Sequence, residues 1–458
     1  MRRLAVVLLP AAVVACKRGS ATSEPSTPSP SSGECAQTLA PRVKPHVPAP
    51  HGPSREAAPS RIVAELEAPL SAFAAELEKR VGTRVAEGND IGLGPAGTLK
   101  YTLDRGPFSV SVADRKLTVQ TEVQARAEAC SRGRCYASCE PRATVRAQVS
   151  LALRENYRFE RTRVTATFTR GCKVRVLGGF LTVDVTPTIE SALAPELERA
   201  GRDIDAQLPD VHAEAVRAFR QMSEGQRLPL GGCIEVQPLA LIQGPIEDSK
   251  EFLRARFAVL ARPELRPECR EASTSPALPP LQFDRSMPIE SVATLGMVMP
   301  LESVGRGLTL PPGTTTRHRV SRAGVTAAGS EVDVDLSLRG AVCGDLSVRA
   351  VPVFAGDGQH VTLGTTSFAS GERERVIETG ADPAELGREL AALARVPVPL
   401  SPKSLGAALP LLTAAFSNRN VQIATDVSDV RAAGAAARGE DLVAWTEVRG
   451  RLRLTVSP

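Results

Sequence analysis

The stretch from Thr186 to Glu224, TPTIESALAPELERAGRDIDAQLPDVHAEAVRAFRQMSE, is apolar along one side and too long to bury that side by itself. Ile189, Leu193, Leu197, Ile204, Leu208, Val211, Ala215, Phe219 and Met222 recur at steps of three, four or seven. Glu190, Glu198, Arg199, Arg202, Asp203 and Glu214 take the other faces, which is the pattern of an amphipathic helix. Unbroken, it would run about 55 Å, but Pro195 and Pro209 each remove a backbone donor and bend or restart it. A stripe of that length demands an equally long apolar partner.

Long alternating strands lie on either side of it. RIVAELEAPL reads as a strand that turns into a helix at LSAFAAELEKRV, and FSVSV, LTVQTEVQARA, ATVRAQVSLAL and RVTATF then alternate apolar with polar residues. CIEVQPLALI and EFLRARFAVLA follow the helical stretch as a hairpin. The same order of strand, helix, meander, broken helix and hairpin recurs after the linker RPECREASTSPALPP. Pro300-Leu301 stand 231 positions beyond Pro69-Leu70, and both pairs mark a strand-to-helix junction. The second broken helix is read across ADPAELGRELAALARVPVPLSPKSLGAALPLLTAAF, opened by Asp382-Pro383 with Glu385 as a capping device. Its apolar stripe is Leu405, Leu409, Leu412 and Phe416. A period above 200 residues is a domain duplication, not a solenoid.

The N-terminus begins MRR, continues with the apolar run Leu4 to Val14, and reaches Val13-Val14-Ala15-Cys16. That is the plan of a secretory signal, and the cysteine after Ala15 resembles the lipid-acceptor site of a bacterial lipoprotein. Cys16 is therefore expected to be acylated and to anchor the chain. The Ser/Pro-rich residues up to position 60 read as a disordered tether. Eight further cysteines in an exported chain imply disulfides. Cys139 with Cys172 and Cys233 with Cys269 flank apparent hairpins, Cys130 with Cys135 would staple a turn, and Cys35 with Cys343 remain. A metal site at Cys130, Cys135 and Cys139 lacks a CxxC pair and a nearby histidine.

Little else in the chain announces chemistry. Gly92, Gly94 and Gly97 match GxGxxG, but a strand rather than a helix follows. There is no GxSxG, P-loop or HExxH motif, and His212 falls on a helix among charged neighbours. Asp333 and Asp335 share a strand face, read as a charged solvent face rather than a calcium site. Arg161 with Arg163, and Arg449, Arg451 and Arg453, form basic strand stripes, read first as a solubilising face and second as a surface for anionic head groups. With 56 basic and 51 acidic residues the net charge is +5, and without a basic run interleaved with aromatics, nucleic acid is not an expected partner.

The element order, the two proline-leucine junctions, GTLKYTL, the cysteine before the second hairpin and the GCI strand start resemble those of the bacterial lipoprotein family called domain of unknown function 4403. That family in turn resembles tandem tubular lipid-binding domains related to bactericidal permeability-increasing protein. The resemblance covers residues 60 to 458. It implies an α+β fold of two repeated units, each a long curved antiparallel sheet wrapped on a long broken helix, with an apolar groove between them. The expected organisation is a signal at 1–15, the tether at 16–60, a first unit at 61–265, a linker at 266–280 and a second unit at 281–458. Leu193, Leu197, Phe219, Leu405, Leu409 and Phe416 would line the groove, although periodicity alone does not separate a cavity from a packed core. The function expected is a non-catalytic envelope lipoprotein that binds or carries a lipid or other acyl-chain ligand, facing the periplasm from the outer membrane and needing no cofactor. The alternative is a structural or protein-interaction lipoprotein with a solid core.

Overall fold

The computed structural model describes residues 35–41, 56–92, 98–131, 134–176, 181–184, 186–227, 232–270, 277–308, 318–355, 358–369, 371–393, 395–398, 401–406 and 421–456. Among the described residues strand outweighs helix, 57 % against 21 %. The expected pair of units, each a sheet wrapped on a long helix, does not form. What forms is a set of mostly antiparallel sheets carrying short helices, with one eight-stranded sheet drawn from both halves of the chain.

That shared sheet follows directly from the repeat. The leading strand Ser60–Pro69 pairs antiparallel with Phe252–Arg266, from Ser60↔Ala261 to Pro69↔Phe252. In the second half Ser291–Pro300 pairs in the same way with Asp441–Val456, from Ser291↔Gly450 to Pro300↔Asp441. The halves then pair with each other in matching register. Glu65↔Arg453 and Leu66↔Leu454 run parallel on one side, and Gly296↔Glu264 and Met297↔Leu265 on the other. The two leading strands cross antiparallel at Arg61↔Val292.

Two serines fasten the crossing. The Ser60 hydroxyl donates to the Thr294 carbonyl at 3.1 Å and accepts from the Thr294 amide at 2.8 Å. Ser291 does the same to Val63, at 3.0 and 2.9 Å. Each serine thereby occupies a backbone donor and acceptor that the divergence of the strands would leave unpaired. The 231-residue offset seen in the sequence is thus obeyed down to individual hydrogen bonds.

The strand-to-helix junctions are equally matched. Helices Leu70–Arg80 and Leu301–Gly307 start after Pro69 and Pro300, and neither has a side-chain cap. Their first amides instead donate to the turn carbonyls of the closing hairpins, Leu70 to Glu251 at 2.8 Å and Leu301 to Glu440 at 2.9 Å. This satisfies one of the amides that a helix start leaves open. Gly305 lets the second helix lie against the backbone of strand His318–Ala328, since a Cβ there would stand 3.1 Å from the Ala323 carbonyl.

The long stripe divides where proline and its cap dictate. Helix Thr186–Gln207 contains Pro195 and stops before Pro209, and Val211–Ser223 restarts with the Asp210 carboxylate accepting from the Ala213 amide at 3.0 Å. The first of these helices, with 22 residues, spans about 33 Å, short of an unbroken rod. In the second half the helical reading holds for Pro383–Leu393, where the Asp382 carboxylate accepts from Ala384 at 2.9 Å. Beyond it, Arg395–Pro397 is a strand paired with His360–Thr362. Proline divides the stripe, and among the long strands Phe252–Arg266 and Asp441–Val456 find partners across the repeat. Among the described residues no helix is long and apolar enough to cross a membrane.

Two further sheets flank the shared one. The first-half sheet orders its main strands Arg84–Gly92, Thr98–Arg105, Lys116–Ser131, Arg142–Ser150 and Arg163–Arg170. The second-half sheet runs from His318–Ala328 through Glu331–Gly340, Val342–Phe354 and His360–Phe368 to Arg395–Pro397. Cys139–Cys172, Cys233–Cys269 and Cys130–Cys135 are bonded as their spacing suggested, and so is the remaining pair, Cys35–Cys343. Residues 35–41, within the stretch read as tether, dock on the second-half sheet through the parallel pairs Gln37↔Val342 and Thr38↔Cys343. The described end of the linker is packed, with the Tyr157 hydroxyl donating to the Pro279 carbonyl at 2.7 Å and Leu278 and Leu281 against it.

Candidate functional site

The two flanking sheets differ in how they are filled. On the inner face of the second-half sheet, Val325, Val334, Val348 and Phe368 follow one another across four strands, and Ala323, Leu336 and Leu346 form the next row. These join Met297, Val361, Val376, Leu386 and Leu405 in a single continuous core. The space left beside Val304, Leu308, Val325, Val334, Val361 and Leu442 is about 10 Å³, at most the room of one water molecule.

The first-half sheet is less completely covered. Its rows read Val119, Ala147, Val164, then Thr121, Val145, Ala166, then Val123, Ala143, Phe168. Ala125 and Ala127 continue the face opposite Leu103 and Tyr101. Val119, Val145, Ala147, Val164, Ala166 and Phe168 are only half-buried. Helix Thr186–Gln207 lies along the edge strand of this sheet, tied at one end by the Cys172 amide to the Thr186 hydroxyl at 2.9 Å and at the other by the Thr162 amide to Asp205 at 3.0 Å. At Gly201 the helix backbone meets the strand, a Cβ there falling 3.1 Å from the Thr162 carbonyl. Its stripe residues Ile189, Leu193, Leu197 and Ile204 are half-buried like the sheet they adjoin. At this edge a half-buried helical stripe and half-buried apolar strand residues adjoin one another.

The six residues chosen from the sequence as groove lining therefore separate. Leu193 and Leu197 are half-buried on the helix along this sheet edge. Phe219 in Val211–Ser223 is 2 % exposed, and Leu405, 6 % exposed, belongs to the second-half core. Leu409, Phe416 and the proposed anchor Cys16 lie outside the described residues, as does the centre of the GxGxxG match. Sequence reasoning missed the alanines, whose signal was their recurrence at alternate strand positions.

A second feature, also missed, is polar. Arg262, Glu264 and Arg266 alternate along one strand opposite Gln237, Glu235 and Cys233, and face the turn Arg438 to Asp441 of the other half. Together with Arg270 they line an open cleft of about 540 Å³. Arg266 is buried and reaches three carboxylates, Glu264 at 2.7 Å, Glu235 at 3.1 Å and Asp441 at 3.4 Å. Glu264 also takes Arg438 at 2.6 Å. Burial opposes ionisation of Glu264, but Arg438 and Arg266 outweigh it and hold its carboxyl below the usual range. A carboxylate of depressed pKa adds stability above its unfolded value, about 4.3, and that stability disappears as pH falls through the lower folded value. Melting temperatures measured from pH 7 to 3 are expected to hold down to about pH 4.3 and then fall. In Glu264→Gln the acid part of that fall should shrink, and an unchanged profile would contradict the linkage.

Other charges read from the sequence are already engaged. Asp333 is buried, not solvated, and bridges Arg349 through both carboxylate oxygens at 2.8 and 3.1 Å. Arg449 pairs with Glu447 at 2.8 Å and Arg453 with Glu65 at 3.6 Å, which weakens the basic stripe. His212 is exposed, edge-on to Tyr157. Among the described residues the group that could approach a metal ion is Glu128, Cys130 and Cys135, and its two sulfurs are joined in a disulfide.

Residues 58–456 match the family described as Domain of unknown function (DUF4403). No curated protein matches the chain. Among solved structures it is similar to one titled "Crystal structure of P47 of Clostridium botulinum E1", at 7 % identity over 86 % of this chain and 99 % of that one. The TM-score of 0.21 carries no argument about this fold.

Proposed function

Since the chain belongs to the DUF4403 family, whose name assigns no activity, we propose a function from its own geometry: non-catalytic binding of an acyl chain in a cleft between the first-half sheet and helix Thr186–Gln207. The observation that carries this reading is the contrast between the halves. The second-half face, its valines, leucines and alanines alike, is buried in one continuous core, whereas the first-half rows leave Val119, Val145, Ala147, Val164, Ala166 and Phe168 half-buried. Half-covered aliphatic surface edged by an amphipathic helix matches an acyl chain in polarity. Four disulfides support an oxidising compartment, and the signal ending at Cys16 supports a lipid anchor in the bacterial envelope, with the cleft held near the lipids it would take. The solid second half would serve as scaffold.

The test is direct. The chain carrying Cys16→Ser, exported to the periplasm without an acyl anchor, purified and extracted with organic solvent, should yield an acyl-chain compound by mass spectrometry. Ala147→Phe, which fills the centre of the cleft, should weaken uptake of a fluorescent fatty acid by at least about tenfold, because displacing two methylenes costs about 1.6 kcal/mol. A protein that comes out clean and takes up no fatty acid would sink the reading, as would undiminished uptake by a folded Ala147→Phe variant.

A further inference from the structure

We infer that the cleft between Arg262–Arg266 and the Arg438–Asp441 turn is an oxyanion site that takes a phosphate group, gripped by Arg262 and Arg270. Its four guanidiniums fall into two pairs. Arg266 and Arg438 form the floor, where Glu235, Glu264 and Asp441 hold them in place at 2.6 to 3.4 Å. Arg262 and Arg270 stand at the rim with their donors largely unused. Arg262 has one ion pair, to the half-exposed Glu56 at 3.3 Å, and Arg270 one, to Asp441 at 3.6 Å. Neither guanidinium makes a hydrogen bond among the described residues.

Both rim arginines are nevertheless positioned. Arg262 is fixed by its strand register opposite Gln237. Arg270 follows the Cys233–Cys269 disulfide, and its amide donates to the Glu235 carboxylate at 2.6 Å. A planar fork with open donors, held on a rigid frame, is completed by a tetrahedral oxyanion accepting two hydrogen bonds from each side chain. The exposed partner Glu56 is a weak competitor. Glu440 lines the cleft as well, so four carboxylates stand beside the four guanidiniums; Glu235, Glu264 and Asp441 are directed at the floor arginines, and the open donors are those of Arg262 and Arg270. The volume, about 540 Å³, is that of a small-molecule site. This site is separate from the acyl-chain cleft, and either reading stands without the other.

The chain's one tryptophan, Trp445, reports on it. Trp445 borders a small adjoining hollow together with Glu56, Arg262, Glu264 and Arg438. The full chain would be titrated with inorganic phosphate, and separately with dihexanoyl phosphatidic acid below its micelle concentration, against chloride at matched ionic strength, following Trp445 emission and heat of binding. Saturable one-to-one binding is expected, weakened at least about tenfold in Arg262→Gln/Arg270→Gln, with melting temperature unchanged because both substitutions are at the rim. Binding of both ligands identifies the phosphate itself as the recognised group. Binding of phosphatidic acid alone, lost in the double variant, places the phosphate in a lipid head group. Absence of saturable binding by either, or equal binding by the double variant, overturns the inference.

Discussion

Arg266→Ala is expected to destabilise the protein by about 3 to 5 kcal/mol, the cost of removing one partner from a buried ion network. Arg266 is 7 % exposed, and its guanidinium faces Glu235, Glu264 and Asp441. Without it those carboxylates lose their shared cation, and Arg438 alone remains to neutralise Glu264. The loss reaches beyond one strand, because Asp441 opens the closing strand of the second half while Glu235 and Glu264 belong to the first-half hairpin. In urea unfolding the midpoint should fall with little change in slope. Arg266→Ala/Glu264→Ala should recover part of the loss, since the pair shares one network. A single-variant loss below about 1 kcal/mol, the range of exposed pairs, would show the network to be solvated and the argument from burial wrong.

What the sequence revealed was local. The duplication was legible because Pro69-Leu70 and Pro300-Leu301 write the same junction 231 positions apart, and the helix restart was legible from Pro209. The disulfides followed from cysteines flanking hairpins. The architecture was not legible, because the decisive pairings join residues such as Ser60 and Thr294 that are 234 positions apart, and alternation along a strand is silent about its neighbour. The amphipathic stripe misled for a related reason. It shows that Leu193 or Phe219 turns away from water, but Leu193 ends half-covered at a sheet edge and Phe219 ends 2 % exposed. The site signals lay in residues that patterning discards: alanines at alternate positions, and the charged face Arg262-x-Glu264-x-Arg266, which looks like ordinary solvent surface until a turn from the other half closes over it.

Cys35→Ser/Cys343→Ser is expected to cost up to about 5 kcal/mol, the chain-entropy value for a very long loop. The bond joins residues 308 positions apart, so it constrains the unfolded chain over most of the described fold. In the folded state it fastens a segment that is already built in. Leu39 is 5 % exposed within the second-half core, and its amide donates to the Cys343 carbonyl at 2.8 Å. Gly344, at φ +127°, makes room for it, since a Cβ at that position would stand only 3.0 Å from the Cβ of Leu39. Arg375 holds the next turn of chain by donating to the Ala40 carbonyl at 2.8 Å. Two contributions are therefore separable. Leu39→Ala with the disulfide intact should lose about 2 to 5 kcal/mol as a core truncation, and its loss should arise in the folded state. The cysteine double variant should lose stability through the unfolded chain, so hydrogen exchange in the second-half core should quicken only as far as global stability falls. If that variant instead unfolds at the wild-type urea midpoint, residues 35–41 are held by packing alone and the bond adds nothing that the docked strand does not supply.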